Sequence, residues 1–86
     1  MFLHLGQDTV VKFSDIIGIF DMDTTTVQKN SRVFLNKAEK NGEVVNVSYE
    51  LPKSFIVCNE KGKNKVYISQ ISSSTLQKRS ELKDIL

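Results

Sequence analysis

Between Glu43 and Ile71 the alternation of apolar and polar residues predicts extended structure. Val45, Val47, Tyr49 and Leu51 recur at every second position with Asn46, Ser48 and Glu50 between them, the period of a strand with one buried and one wet face. Pro52 breaks that run. Phe55 to Cys58 is a continuous apolar run, as expected of a strand covered on both sides, which makes it the expected centre of a sheet. Lys65 to Ile71 returns to a mixed pattern after Glu60-Lys61-Gly62-Lys63-Asn64, a polar segment of hairpin length. These three runs are expected to form an antiparallel meander.

Upstream, Phe2, Leu3 and Leu5 open a short strand that stops at Gly6, and Asp8 begins a turn. Thr9 to Lys12 and Ile16 to Phe20 are rich in β-branched and aromatic residues, with Ser14-Asp15 between them as a bend or bulge. Gly18, between Ile17 and Ile19, marks a bulge or a close approach of another backbone, or simply close packing. Oxygens of Asp23 and the following threonines can cap a helix start, and Asn41-Gly42 supplies a helix end. A helix from about Thr25 to Lys40 is therefore expected, with Val27, Ser31, Phe34, Leu35 and Ala38 on one face and Gln28, Lys29, Arg32, Asn36, Lys37 and Lys40 elsewhere. After the meander, Ser74 with Gln77 matches a capping box for a second helix. Leu82, Ile85 and Leu86 can line one side of it, although Leu76 does not join their stripe.

The expected fold class is α+β: a curved antiparallel sheet of about five strands, one helix packed on it and a short C-terminal helix, in a single domain over residues 1–86. One helix cannot cover both faces of such a sheet, and its edges invite pairing. A cyclic homo-oligomer is expected, with strand edges or the Leu82, Ile85 and Leu86 side buried between subunits.

Composition narrows the function by exclusion. Cys58 is the single cysteine and lies in the most apolar run, which suits a buried structural thiol and a reducing compartment. No apolar run approaches the roughly 20 residues needed to span a bilayer, and the N-terminus lacks a signal-peptide pattern, so a cytoplasmic protein without membrane attachment is expected. His4 is the only histidine, and no second ligand stands at metal spacing, so neither a metal nor a cofactor is expected. Asp21 and Asp23 precede the predicted helix, where acids are favoured as caps. Phosphate-loop, dinucleotide and nucleophile-elbow patterns are absent, and catalysis is not expected.

The formal charge of +2 is modest, but its distribution is uneven. Residues 1–24 hold four acids and one base, whereas 53–65 hold four lysines and one acid. Lys53, Lys61, Lys63 and Lys65 fall in the two expected turns of the meander, where they could meet successive phosphates or simply guard strand edges against aggregation. Tyr49 and Tyr67, the aromatics nearest these bases, do not make a stacking platform.

An ordered set of short pieces is similar to the RemA/RemB family of bacterial extracellular matrix (biofilm) regulators, its RemB branch most of all. These are His4-Leu5-Gly6, Ile16-Ile17-Gly18-Ile19, Asn41-Gly42 with Val44-Val45, Ser48-Tyr49, Phe55-Ile56-Val57, and Val66-Tyr67-Ile68-Ser69 running into Leu76-Gln77-Lys78-Arg79. The resemblance implies a DNA-binding transcription regulator related to LytTR-type domains and assembled as a ring. It also exposes a departure. Where the family's DNA-binding members carry adjacent arginines, this chain reads Glu50-Leu51-Pro52-Lys53, and another family arginine falls near Asp15, with Lys12 the closest base. A lysine cannot make the bidentate contacts of an arginine. Lys53, Lys12, Lys61, Lys63 and Lys65 are thus the candidate DNA contacts on a self-assembled ring. The alternative is an assembly subunit that has lost direct DNA contacts and acts with a paralogous regulator.

Overall fold

The computed structural model describes residues 1–22 and 29–85, and the side chains of residues 1–22 and 31–80. Strands β1 (Phe2–Gly6) and β2 (Thr9–Lys12) pair as an antiparallel ribbon. A 3₁₀ turn (Phe13–Asp15) supplies the bend expected at Ser14-Asp15 and leads into β3 (Ile16–Asp21). There follow α1 (Lys29–Lys40), β4 (Val44–Asn46), β5 (Ser54–Glu60), β6 (Lys63–Ser69) and α2 (Ser73–Ile85). The α+β class holds, but the strands divide into the two-stranded ribbon and a separate four-stranded sheet of order β3-β5-β6-β4, in place of a single five-stranded sheet.

The continuous apolar run is central, as its pattern required: β5 lies antiparallel between β3 and β6. The meander is wrong at its first strand. β4 lies on the far side of β6 and parallel to it, with Val44 opposite Val66. Its connection to β5 passes the end of β6, where the Val47 N–H donates to the Ile68 carbonyl at 2.9 Å and the Lys53 N–H to the Ser69 carbonyl at 2.8 Å. Alternation beyond Asn46 therefore does not mark a strand. The Ser48 hydroxyl accepts the Glu50 N–H at 3.0 Å, a local bond that competes with ladder formation, and Tyr49 and Leu51 stand 109% and 81% exposed.

Strand period places successive β5 side chains on opposite faces. Ile56 and Cys58 join Tyr67 under Leu3, Leu5 and Val11 of the ribbon and Leu76 of α2. Phe55 and Val66 pack instead on Ala38, with Leu35 and Ile68 around them. The second face is thus covered by the ribbon and α2, so coverage of the sheet does not depend on one helix. Leu76, which left the predicted stripe, is fully buried and anchors α2. The cap of α2 also differs: Ser72, not Ser74, accepts the Thr75 N–H, at 3.2 Å.

Helix α1 buries Ala38 and half-buries Ser31 and Leu35, as its spacing predicts, whereas Phe34 remains 42% exposed. It ends at Asn41-Gly42 as expected: the Glu43 N–H reaches the Ala38 carbonyl and the Gly42 N–H that of Glu39, the paired bonds of a Schellman motif. The expected start near Thr25, the Asp23 cap and Val27 lie outside the described residues, as do the side chains of Leu82, Ile85 and Leu86. At Gly18 the expected bulge occurs, whereas the group that approaches closely is a side chain and not another backbone. The β3–β5 register shifts between Ile16 and Gly18, and a Cβ on Gly18 would come within 2.7 Å of the Phe20 ring.

Candidate nucleic-acid interface

Four of the five candidate lysines come together at one end of the sheet. Glu60 faces Lys63 across a two-residue connection, and both turn residues, Lys61 (φ 53°) and Gly62 (φ 83°), are left-handed, as a type I′ hairpin requires. The Asn59 side chain braces the turn by accepting the Gly62 N–H at 3.1 Å and donating to Asn64 Oδ1 at 3.0 Å. Lys63 and Lys65 then share a face by strand period. Lys12 ends β2, and the 3₁₀ turn brings Asp15 alongside. Lys12, Asp15, Glu60, Lys61, Lys63 and Lys65 line a shallow depression of about 440 Å³.

These cations are not equivalent. Lys65 Nζ lies 3.6 Å from Glu60 Oε1, and the other carboxylate oxygen of Glu60 accepts the Tyr67 hydroxyl at 2.6 Å. Glu60 thus binds Lys65 to the sheet. Lys12, Lys61 and Lys63 are exposed. Asp15, near which the family resemblance placed an arginine, stands inside the depression as a carboxylate among lysines.

Below this end, burial pushes the Cys58 thiol up to about 11, with the Glu60 and Asp15 carboxylates adding to it. The same causes, burial first and then the bond to Glu60, raise the Tyr67 hydroxyl well above its usual range. Cys58 is fully buried, as its apolar run implied, and a protonated thiol without access is a packing group. Among the described residues no group of three or more His, Cys, Asp and Glu is placed to hold a metal ion. No described helix is long and apolar enough to cross a membrane.

Lys53 is not part of this cluster. It precedes β5, bonded through its backbone to Ser69 and Met22, whereas Lys61 follows β5. The seven residues of β5 put about 23 Å between them. The loop that leads to Lys53 borders a shallow cavity of about 310 Å³, lined by Ser48, Tyr49, Glu50 and Pro52 among others but not by Lys53 itself.

Reading the sequence also missed an apolar groove of about 300 Å³ between β3 and α1, lined by Ile17, Phe20, Ser31, Phe34, Phe55 and Val57. Its signal was present in β3: Ile16-Ile17 is an adjacent apolar pair, and successive side chains of a strand point to opposite faces, so both cannot join the same core.

The sequence profile of the RemA-like family, described as extracellular matrix regulatory protein A-like, matches residues 2–79. The chain belongs to the RemA-like family. Within that group it is 40% identical over 81 residues to extracellular matrix regulatory protein B of Bacillus subtilis strain 168, an overlap of 94% of this chain and 91% of the relative. The resemblance carried by the short pieces from His4 to Arg79 is borne out over that same span. As a RemA-like chain, it holds its lysine cluster and its Leu51-Pro52 loop at opposite ends of one sheet.

Proposed function

We propose that this RemA-like chain is a non-enzymatic, cytoplasmic transcription regulator of extracellular matrix genes that contacts DNA phosphates through basic loops repeated around a homo-oligomer. Family membership and the kind of regulator named for the Bacillus subtilis relative support the regulatory part. The observation that carries the DNA part is the gathering of Lys12, Lys61, Lys63 and Lys65 on one depression. Phosphate contact needs cations at a spacing the backbone can follow, and no base-reading group. A single copy offers few free charges, so repetition around an oligomer supplies affinity by making later contacts intramolecular.

Binding should then be nearly indifferent to sequence and fall steeply with salt. A titration of salt against affinity for a long duplex tests this, because each phosphate neutralised adds about 0.9 to the slope. A flat slope rejects the reading.

A second reading is favoured by the exposed Tyr49 and Leu51 on the loop that replaces the family's arginines. An apolar loop suits a protein surface, so the chain would act as an assembly subunit with a paralogous regulator. Binding to the duplex seen only after addition of the paralogue would favour it.

A further inference from the structure

Two apolar features have no cover among the described residues. The first is the groove between β3 and α1. Ile17 is 65%, Phe34 42% and Phe20 39% exposed, so the groove is open to solvent. Its floor is fixed: the Phe20 ring stacks on Phe55 with centroids 5.1 Å apart, and Phe34 tilts against Phe55 at 6.3 Å. The β3–β5 register shift beside Gly18 accompanies the outward position of Ile17 on an edge strand of the described sheet.

The second feature is the loop from Val47 to Lys53. Both of its ends are tied by backbone bonds to β6, the Ser48 hydroxyl bridges its start, and Pro52 stiffens its end. Leu51 and Tyr49 project from this rigid frame almost wholly into water. Exposed leucine on a flexible loop is unremarkable, but a preorganised apolar projection loses little freedom when it is buried against a partner.

We propose that Leu51, with Tyr49 beside it, inserts into the Ile17, Phe20 and Phe34 groove of a second copy of this chain. This rests on the homo-oligomer of the proposed function and names a contact that builds it. Knob and groove occur once each per chain and on different elements, so one copy can give its knob while receiving another's. None of the described groove-lining residues is charged, and Ser31 is the only polar one, which leaves nucleic acid or a polar ligand nothing to pair with there. A second copy carries the matching apolar projection at equal stoichiometry. Burying both removes Tyr49 and Leu51, the two most exposed of the large apolar side chains described, from water together with the open groove at one contact.

The test is light scattering at micromolar concentration on the full chain, on Leu51→Glu and on Ile17→Glu. Both sites are exposed, so the substitutions leave the core intact, which circular dichroism verifies. Each variant alone should be monomeric, with self-affinity down by about tenfold or more, the equivalent of one buried leucine. An equimolar mixture should recover a dimer, because the Leu51→Glu copy keeps its groove and the Ile17→Glu copy keeps its knob. Full assembly by either variant alone, or a mixture that stays monomeric, overturns the knob-and-groove contact while the homo-oligomer stands. An unmodified chain that is itself monomeric overturns the homo-oligomer reading.

Discussion

The hydroxyl of Ser69 donates a 2.6 Å hydrogen bond to the carbonyl of Leu5, 64 residues away in sequence. The same oxygen accepts the Ile71 N–H at 3.0 Å, and Ser54, directly opposite on β5, donates to the Ile71 carbonyl at 2.7 Å. Two fully buried serines thus tie the ribbon, the central hairpin and the approach to α2. Ser69→Ala leaves the Leu5 carbonyl and the Ile71 N–H short of a partner in a dry site. The expected loss is about 1–3 kcal/mol of unfolding free energy. Urea denaturation with an unchanged slope would measure it, and a loss below experimental error would show that water replaces the hydroxyl.

Leu76 is the apolar anchor of α2, at 0% exposure, packed in the cluster of Leu3, Leu5, Val11 and Ile56. Leu76→Ala should cost about 2–5 kcal/mol through lost burial plus the cavity left behind. In a small domain that is a large share of total stability. Thermal denaturation of this variant beside Gln77→Ala, an exposed neighbour, separates the core effect from helix propensity.

Much of this architecture was legible because local chemistry and global fold agree. Phe55 to Cys58 was expected at the centre because both faces of the strand are apolar, and Glu60 to Asn64 was expected to be a hairpin turn because the segment is short, polar and contains Gly62. The position of β4 was not legible. Val45 and Val47 alternate equally well beside β5 or beyond β6, and the deciding bonds are from backbone to backbone at Val47 and Lys53. Leu76 escaped the predicted stripe because one buried residue at the base of α2 is enough to anchor it. At the candidate site, clustering of Lys61, Lys63 and Lys65 followed from the hairpin. Lys53, grouped with them by charge, is parted from them by the length of β5.

Stability should also decline in alkali. Cys58 moves from a usual 9.0 to about 11, so between those values the unfolded chain gives up a proton that the folded chain keeps. The folded state then binds more protons, and stability falls as pH rises through that window, by roughly 2 kcal/mol. The raised Tyr67 hydroxyl acts in the same direction at higher pH. Denaturation of the native chain and Cys58→Ala on either side of the window tests this: the variant should be less stable at neutral pH but should lose less on going to alkali. Equal alkaline losses would assign the effect to Tyr67 alone.

If phosphates lie along the lysine depression, individual lysines should matter in proportion to how free they are. Lys63 is exposed, whereas Lys65 already faces Glu60 at 3.6 Å, a carboxylate fixed in place by Tyr67. Exposed ion pairs contribute about 0–1 kcal/mol to stability, so neutralising either lysine should leave the fold intact and allow binding to be compared directly. Lys63→Gln should lower duplex affinity and reduce the salt slope by about one for each subunit in contact. Lys65→Gln should do less, because part of its charge is already compensated. Lys53→Glu, at the far end of β5, should leave the slope unchanged if one subunit's depression is the whole contact. A drop in slope for Lys53→Glu equal to that for Lys63→Gln would mean instead that the DNA spans both ends of the sheet.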